Sequence, residues 1–310
     1  MMKAGSNLEK VLSAGHFAVT GELGPPRGSD GAAVREKTQY LKGMVDAVNI
    51  TDNQTAVVRM ASWAASLILI QEGLEPNYQM VCRDRNRLAM QSDILGAYAL
   101  GIKNMLCLSG DHQQFGDHPK SKKVFDIDSM QLISMVKKMR DEAKFQSGEE
   151  ISTAPQMFIG AAENPFGEPF EFRALRLAKK VQAGADFIQT QCIYNMERFR
   201  SWMKQVVDMG LAEKIYILAG VTPFKSVGMA KYMQKNVPGL DVPDALIKRL
   251  QGVDKKDQAK EGIAMCCEQI QEFKEMKGVA GVHIMAIEWE KRVPEIVEKA
   301  KLLPRPVAGE

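Results

Sequence analysis

The chain has 310 residues, with 41 basic and 38 acidic side chains and a formal net charge of +3. This near-balance gives no reason to expect nucleic acid or an anionic membrane as a partner. A chain of this length can bury a large core without disulfides or structural metals, and α/β barrels of this size often form one domain. We therefore predict that residues 1–310 form a single domain.

The cysteines and the amino terminus indicate a cytoplasmic protein without a structural metal. Five cysteines are present, with no CxxC and no Cys/His zinc spacing. Only Cys266 and Cys267 are adjacent, and neighbouring helical residues point in different directions, so we predict reduced thiols. Met1–Lys10 has neither an apolar core nor a cleavage site, which predicts no signal peptide. The longest apolar stretch, Met60–Ile70, is too short to span a bilayer.

Short apolar and β-branched runs alternate with longer helical patterns, which is typical of βα units around a parallel sheet. The predicted strands are His16–Leu23, Ala47–Asp52, Tyr78–Arg83, Asn104–Ser109, Gln156–Ala162, Phe187–Cys192, Ile215–Val221 and Gly281–Ile287. The predicted helices are Ala32–Met44, Val58–Glu72, Arg87–Leu100, Ser129–Ala143, Phe170–Gln182, Met196–Met209, Ser226–Lys235, Asp254–Met276 and Val293–Leu302, with an extra short helix at Pro243–Gly252.

This order predicts an α/β protein of one (β/α)8 TIM barrel rather than an open doubly wound sheet. No GxGxxG follows the first strand, which counts against a dinucleotide-binding domain. Gly101, Gly184 and Gly281 are predicted to end helices just before a strand begins. The loop His112–Asp128 is long for a connection and is basic.

Polar side chains gather at the carboxyl ends of these apolar strands, where TIM barrels carry their active sites. Asn86 and Asp128 are predicted to be helix N-caps. Glu22, Asp111 and Gln191 follow three different strands and are predicted to face one pocket. Two carboxylates suit acid–base work or a cation, and an amide suits the edge of a heterocycle. We therefore expect an enzyme acting on a cationic or heterocyclic substrate.

The histidines do not predict a metal site. His112 and His118 fall in the long loop and are expected to be exposed. His283 lies within the eighth predicted strand and is expected to be an inward-facing core residue that hydrogen-bonds a neighbour.

Several strand-end motifs, taken in order, resemble the bacterial methylenetetrahydrofolate reductase family. These are TGELGPP at 20–26, NITDN at 49–53, LSGD at 108–111, AGADFIQTQ at 183–191 and HIM at 283–285. The motifs AAENPF at 161–166 and AIEWE at 286–290 are similar to the flavin-containing catalytic subunits of anaerobic one-carbon pathways.

The resemblance implies a barrel that holds a flavin at the carboxyl ends of its strands. Reduced flavin N5 would pass a hydride to 5,10-methylenetetrahydrofolate, after the five-membered ring opens to a 5-iminium cation, and 5-methyltetrahydrofolate would form. Glu22 matches the family's general acid, which protonates N10. Asp111 matches the carboxylate beside flavin and pterin, and Gln191 matches the amide that binds the folate.

The resemblance also implies the cofactor contacts, which are Thr51, Ser109, Gly110, Asp111, Asn164, Lys180 and Ala185. The family's stacking phenylalanine aligns with Val227 here, and the nearby Phe224 is our substrate-binding candidate. An acidic residue of the family is replaced by Arg173. We expect FAD, with FMN as the alternative.

Some relatives take electrons from an iron–sulfur or zinc partner protein. The electron source is therefore NAD(P)H or such a partner, and an oligomer or a hetero-complex is expected. Two alternative functions stay open. One is a flavin-free, pterin-binding methyltransferase barrel, which needs similar acidic and amide groups. The other is a non-catalytic scaffold that docks a redox partner, against which Glu22, Asp111 and Gln191 argue together.

Overall fold

The computed structural model describes residues 2–306. Within this range eight parallel strands close into one barrel in chain order, β1 to β8, so the predicted (β/α)8 barrel is confirmed. The strands are β1 Ala18–Leu23, β2 Ala47–Ile50, β3 Pro76–Val81, β4 Asn104–Leu108, β5 Phe158–Glu163, β6 Phe187–Cys192, β7 Tyr216–Val221 and β8 Val279–Ile284.

Helices separate the strands and cover the outside of the barrel. They are α1 Asn7–Ser13, α2 Ala32–Leu41, α3 Ser62–Gln71, α4 Arg87–Ala99, α5 Ser129–Asp141, α6 Phe172–Ala183, α7 Met196–Asp208, α8 Val227–Asn236, α9 Asp244–Gln251, α10 Gln258–Lys274 and α11 Val293–Lys299. The side chains of Asn86 and Asp128 cap α4 and α5 as predicted, and Asp128 forms a full capping box with Gln131. The extra short helix is α9.

The start of the last strand, and the glycine that precedes it, differ from the prediction. Strand β8 begins at Val279, and Gly281 lies inside it rather than at a helix end. A Cβ on Gly281 would come within 2.4 Å of the Ala18 carbonyl oxygen, so this glycine allows β8 to pack tightly against β1. The residue with a left-handed backbone between α10 and β8 is Gly278, at φ 89°.

Helix α1, which the sequence analysis did not predict, closes the amino end of the barrel. Its seven residues are too few to be stable alone, so tertiary contacts hold it. The Ser6 hydroxyl accepts from the Glu9 amide, and the Glu75 carboxylate accepts from the amides of Asn7 (2.6 Å) and Leu8 (2.9 Å). Burial raises the pKa of Glu75. Leu8 is fully buried, which is worth about 1.5–3 kcal/mol.

The barrel lumen is apolar at this end and polar in the middle. One apolar cluster combines α1 with residues of six strands, so it must fill the lumen: Ala18, Ala47, Leu106, Phe158, Phe187 and Leu218. Above it lie hydrogen-bonded side chains from β1, β2, β3, β6 and β8, several of which bond across the lumen. The larger core, between strands and helices, is apolar.

Candidate active site

Glu22 lies near the carboxyl end of β1, with its side chain 18% exposed. Thr20 pairs with His283 in the β1–β8 register, so Glu22 lies two residues further along β1, on the same side as Thr20. The Glu22 carboxylate Oε2 is 3.5 Å from His283 Nε2. As predicted, His283 is buried and hydrogen-bonds a neighbour, Thr20. The strand pairing therefore places an imidazole behind the carboxyl group.

A narrow pocket beside Glu22 carries charge of both signs. It is lined by Gly24, Lys37, Gln54, Arg59, Ile287, Glu288 and Glu290. Lys37 forms an ion pair of 2.8 Å with Glu290. Gln54 Oε1 and Arg59 Nε are buried and have no hydrogen-bond partner within residues 2–306. The sequence analysis did not single out Lys37, Gln54 and Arg59, because none of them belongs to a strand-end motif.

Gln191 lies on the rim of a second cleft, of about 280 Å³, at the ends of β4, β5 and β6. This cleft brings together four of the predicted residues, Ser109, Asn164, Lys180 and Gln191. It also contains Ser129 and the cations Arg173 and Arg176. Of these three, only Arg173 was singled out from the sequence, through the family resemblance. Ser129 and Arg176 lie on α5 and α6 and match no strand-end motif.

An irregularity in β6 exposes Gln191. The register with β7 shifts between Gln189 and Cys192, and the Thr190 hydroxyl accepts from the Gly220 amide at 2.8 Å. Bulges of this kind re-aim side chains at barrel rims. Gly220 is required here, because a Cβ would come within 2.3 Å of the Thr190 carbonyl oxygen and 2.8 Å of the Gln191 carbonyl oxygen.

Lys180 is buried at the side of the second cleft. It reaches from α6 to Glu163 at the end of β5, with Nζ–Oε2 at 2.6 Å, and also donates to the Ala162 carbonyl. The two side chains are only 6% and 1% exposed. Burial lowers the pKa of Lys180, and the Glu163 carboxylate partly offsets this. The pair places a fixed cation close to the cleft.

Asp111 is exposed, and its carboxylate is bonded to the loop that follows β2. Its Oδ2 accepts from the Thr55 amide at 2.9 Å, while its carbonyl accepts from the buried Arg83 guanidinium at 3.0 Å. Thr55 and Ala56 have left-handed backbones at φ 58° and 57°. Asp111 thus lies at the same barrel mouth as Glu22 and Gln191, but it lines neither the Glu22 pocket nor the Gln191 cleft.

Thr51 and Gly110 also lie at this mouth. Thr51 follows β2 and is 4% exposed, and its hydroxyl has no partner within the described part of the chain. Gly110 follows β4 at φ 88°, and a Cβ there would lie 3.0 Å from Val81 Cβ. Asn164 Oδ1 accepts from the Phe166 amide at 3.0 Å.

Two of the predicted site residues, Ala185 and Phe224, lie away from the Glu22 pocket and the Gln191 cleft. Ala185 precedes β6 and is bonded to the last turn of α6, so it lies at the amino end of the strand, away from the mouth where we expected a flavin contact. Phe224 is 2% exposed and stacks on Tyr194 with ring centroids 4.4 Å apart. It packs in a cluster with α8, α9 and α10, and not at either cleft. Its ring would have to leave that packing to meet a substrate bound at the barrel mouth.

Neither a metal site nor a membrane span is found in residues 2–306. No group of three or more His, Cys, Asp or Glu side chains there could hold a metal ion, and no helix there is both long and apolar enough to cross a membrane. His112 and His118 are exposed, as predicted. All five cysteines are free and buried in the described structure.

A family model described as methylenetetrahydrofolate reductase matches residues 7–301. The chain belongs to the methylenetetrahydrofolate reductase family. The resemblance inferred from the strand-end motifs is thus confirmed at the level of the family. The closer likeness to the anaerobic reductases stays a prediction.

Curated relatives carry the family's name at low identity. Methylenetetrahydrofolate reductase 2 of Schizosaccharomyces pombe is 25% identical over 73% of this chain. The 5,10-methylenetetrahydrofolate reductase of Pectobacterium carotovorum is 24% identical, over 77% of this chain and 75% of that protein. The chain spans little more than a third (36%) of the length of the Schizosaccharomyces pombe protein and of a Caenorhabditis elegans relative.

Solved structures support the fold of this family member. A Clostridium thermocellum protein described as binding two copies of 5-methyl-5,6,7,8-tetrahydrofolic acid superposes with a TM-score of 0.63 and 13% identity, over 96% of this chain and 99% of that one. A 2,3-dimethylmalate lyase gives a TM-score of 0.52, also at 13% identity, over 100% of this chain and 89% of that one. At these identities the likeness shows the barrel alone.

Proposed function

We propose that this protein reduces 5,10-methylenetetrahydrofolate to 5-methyltetrahydrofolate, using a bound flavin. Membership of the family supports the reaction. The observation that carries the proposal is the placement of Glu22, which matches the family's general acid, at the barrel mouth with a buried imidazole 3.5 Å behind it. The folate bound by the Clostridium thermocellum neighbour agrees with the substrate class.

The residues at the mouth fit a flavin. The Thr51 hydroxyl is buried without a partner among residues 2–306, so it is free to bond a ligand. Ser109, Asn164 and Lys180 line one polar cleft, and Gly110 follows Ser109 in a left-handed turn packed against Val81. Arg173 and Arg176 on the same cleft suit the flavin's phosphate, whether in FAD or in FMN.

A reduced flavin, when bound, supplies the hydride from N5. The protein's own groups prepare the folate for that transfer. Glu22 gives its proton to N10 as the C–N10 bond of the five-membered ring breaks. The Asp111 carboxylate stabilises the resulting 5-iminium cation, and the Gln191 amide binds the pterin edge through its donor and acceptor atoms. Ala185 has no part in this scheme, because it lies at the opposite end of the barrel.

The proposal includes an electron source and a cellular location. Electrons come from NAD(P)H or from a partner protein that carries an iron–sulfur or zinc centre, in an oligomer or a hetero-complex. The five free, buried thiols support a cytoplasmic location.

The decisive measurement is the folate half-reaction. The protein would be purified without oxygen, its flavin reduced chemically, and methylenetetrahydrofolate added while the visible spectrum is followed. We expect flavin reoxidation with formation of 5-methyltetrahydrofolate. Failure to bind either FAD or FMN would overturn the proposal and favour the flavin-free pterin methyltransferase. Rapid, stoichiometric bleaching of the oxidised flavin by NADH would identify the nicotinamide as the donor.

A variant tests the acid directly. Glu22→Gln should slow reoxidation by about 10²- to 10⁴-fold, the usual contribution of a general acid, and leave the flavin bound. Glu197→Gln, at an exposed glutamate of α7, is the matched control and should react like the wild type. Equal rates for the two variants would remove the acid role from Glu22.

A further inference from the structure

A chain of hydrogen-bonded side chains crosses the middle of the barrel lumen and ends behind Glu22. Asn77 Nδ2 donates to Asn49 Oδ1 at 2.7 Å, and Asn49 forms a reciprocal amide pair with Gln189, at 2.6 and 3.1 Å. Gln189 Nε2 also donates to the Thr20 hydroxyl at 3.0 Å. That hydroxyl lies 3.0 Å from His283 Nδ1. The chain thus connects strands β3, β2, β6, β1 and β8.

Burying a layer of polar side chains in the middle of the lumen costs free energy. The middle layers of such barrels are usually filled by Val, Ile and Leu, yet these five residues are between 0% and 3% exposed. Buried amides and hydroxyls cost free energy unless each is bonded in a fixed orientation. Packing alone does not require them, since the apolar layer beneath fills the same lumen with alanine, leucine and phenylalanine.

The tautomer of the His283 imidazole depends on where the Thr20 hydroxyl proton points. Thr20 Oγ1 accepts from Gln189, so its own proton has two places to go: His283 Nδ1 at 3.0 Å or the Val282 carbonyl at 3.4 Å. When the hydroxyl donates along the shorter contact, Nδ1 is the acceptor. A neutral imidazole then carries its proton on Nε2, which is the nitrogen 3.5 Å from Glu22 Oε2.

We propose that His283 is a positioning residue for Glu22, held by the lumen chain in the Nε2–H tautomer so that this N–H faces Glu22 Oε2, 3.5 Å away. This inference rests on the proposed function of Glu22 as the acid. With Oε2 occupied as an acceptor, the acid proton resides on Oε1, from which it can pass to N10. After the transfer, the same Nε2–H stabilises the carboxylate that remains.

The opposite tautomer would work against the reaction. With the proton on Nδ1, the lone pair of Nε2 would face Glu22 and would accept the acid's proton, holding it away from the folate. The chain of amides therefore decides whether the Glu22 proton is directed to the substrate or to His283.

The first test measures the tautomer and needs no catalysis. The chain has four histidines, so ¹⁵N-histidine labelling of the purified protein gives a simple spectrum, and His283→Gln assigns the signal. We expect a protonated Nε2 and an unprotonated Nδ1 in the wild type, with the Nδ1–H form appearing in Thr20→Val. A protonated Nδ1 in the wild type, or a Thr20→Val spectrum identical to it, would overturn the proposal.

The second test measures the folate half-reaction in the flavin-loaded protein. Thr20→Val should lower the rate at saturating folate by about ten- to a hundred-fold, less than the loss of a general acid itself, with little change in the folate KM. Thr20→Ser keeps the hydroxyl and should restore the rate. Thr38→Val is the matched control, because Thr38 is fully buried and its hydroxyl bonds only within α2.

The outcomes separate the two proposals. A wild-type protein that fails to reoxidise would defeat the proposed function, whatever the tautomer. An active wild type in which Thr20→Val reacts as fast as Thr38→Val would defeat the role of His283 and leave the reductase standing. If Thr20→Val does not fold, a slow Thr20→Ser protein would contradict the proposal in the same way.

Discussion

Replacing Lys180 by methionine tests whether the ion pair beside the second cleft supports the fold. The Lys180–Glu163 pair is buried, with 6% and 1% of the two side chains exposed and 2.6 Å between Nζ and Oε2. Methionine keeps most of the length of the side chain and removes the charge, so Glu163 is left as an uncompensated buried carboxylate. Removing one partner of a buried pair costs about 3–5 kcal/mol. We expect Lys180→Met to lower the free energy of unfolding by that amount.

Urea unfolding at neutral pH, followed by tryptophan fluorescence, measures this loss as a shift of the midpoint at unchanged slope. Lys204→Met is the control, since Lys204 pairs with Asp208 at 2.6 Å but is 76% exposed, and such pairs contribute about 0–1 kcal/mol. The double variant Lys180→Met with Glu163→Gln removes both charges and should recover most of the loss. A Lys180→Met protein no less stable than Lys204→Met would refute the reasoning.

Three further changes have defined outcomes. Gly220→Ala should cost about 1–3 kcal/mol by overpacking the β6 irregularity and should weaken folate binding in a titration; unchanged affinity would separate Gln191 from the substrate. Phe224→Ala should cost about 3–5 kcal/mol in urea unfolding because the ring is 2% exposed, and a loss confined to folate affinity would instead restore its substrate role. Burial raises the pKa of Cys82 to about 12 and of Cys192 to about 11, so both remain neutral thiols at pH 8. A disulfide reagent should label them only after unfolding, and fast labelling of the native protein would contradict their burial.

The barrel could be predicted because each strand carries its own signal. A run such as Asn104–Leu108 is short, mostly apolar and followed by Ser109 and Asp111, and the rule that sites lie at carboxyl ends located Glu22 and Gln191. Helix α1 carries no such signal. Its stability depends on the Glu75 carboxylate, which is 67 or 68 residues away in sequence from the amides that it accepts.

The details of the site depended on contacts between strands. His283 could be predicted to be buried, but its place behind Glu22 follows from the β1–β8 register. The family resemblance suggested Ala185 and Phe224 as site residues, but the first lies before its strand and the second packs against α8 to α10. Asp111 was located at the mouth, whereas its bond to Thr55 depends on a loop from another strand.

The hydrogen bond from the Thr55 amide to Asp111 holds a strained turn at the barrel mouth. Asn53, Thr55 and Ala56 have backbone φ angles of 44°, 58° and 57°, and conformations of this kind cost of order 1–3 kcal/mol each unless their surroundings hold them. Only Oδ2 of Asp111 accepts from Thr55, so a cation that takes this oxygen would compete with the Thr55 amide. Displacing that amide would let the turn relax. The relief of backbone strain would then offset part of the free energy lost with the hydrogen bond. A ligand that displaces the Thr55 amide from Asp111 would therefore loosen this loop as it binds.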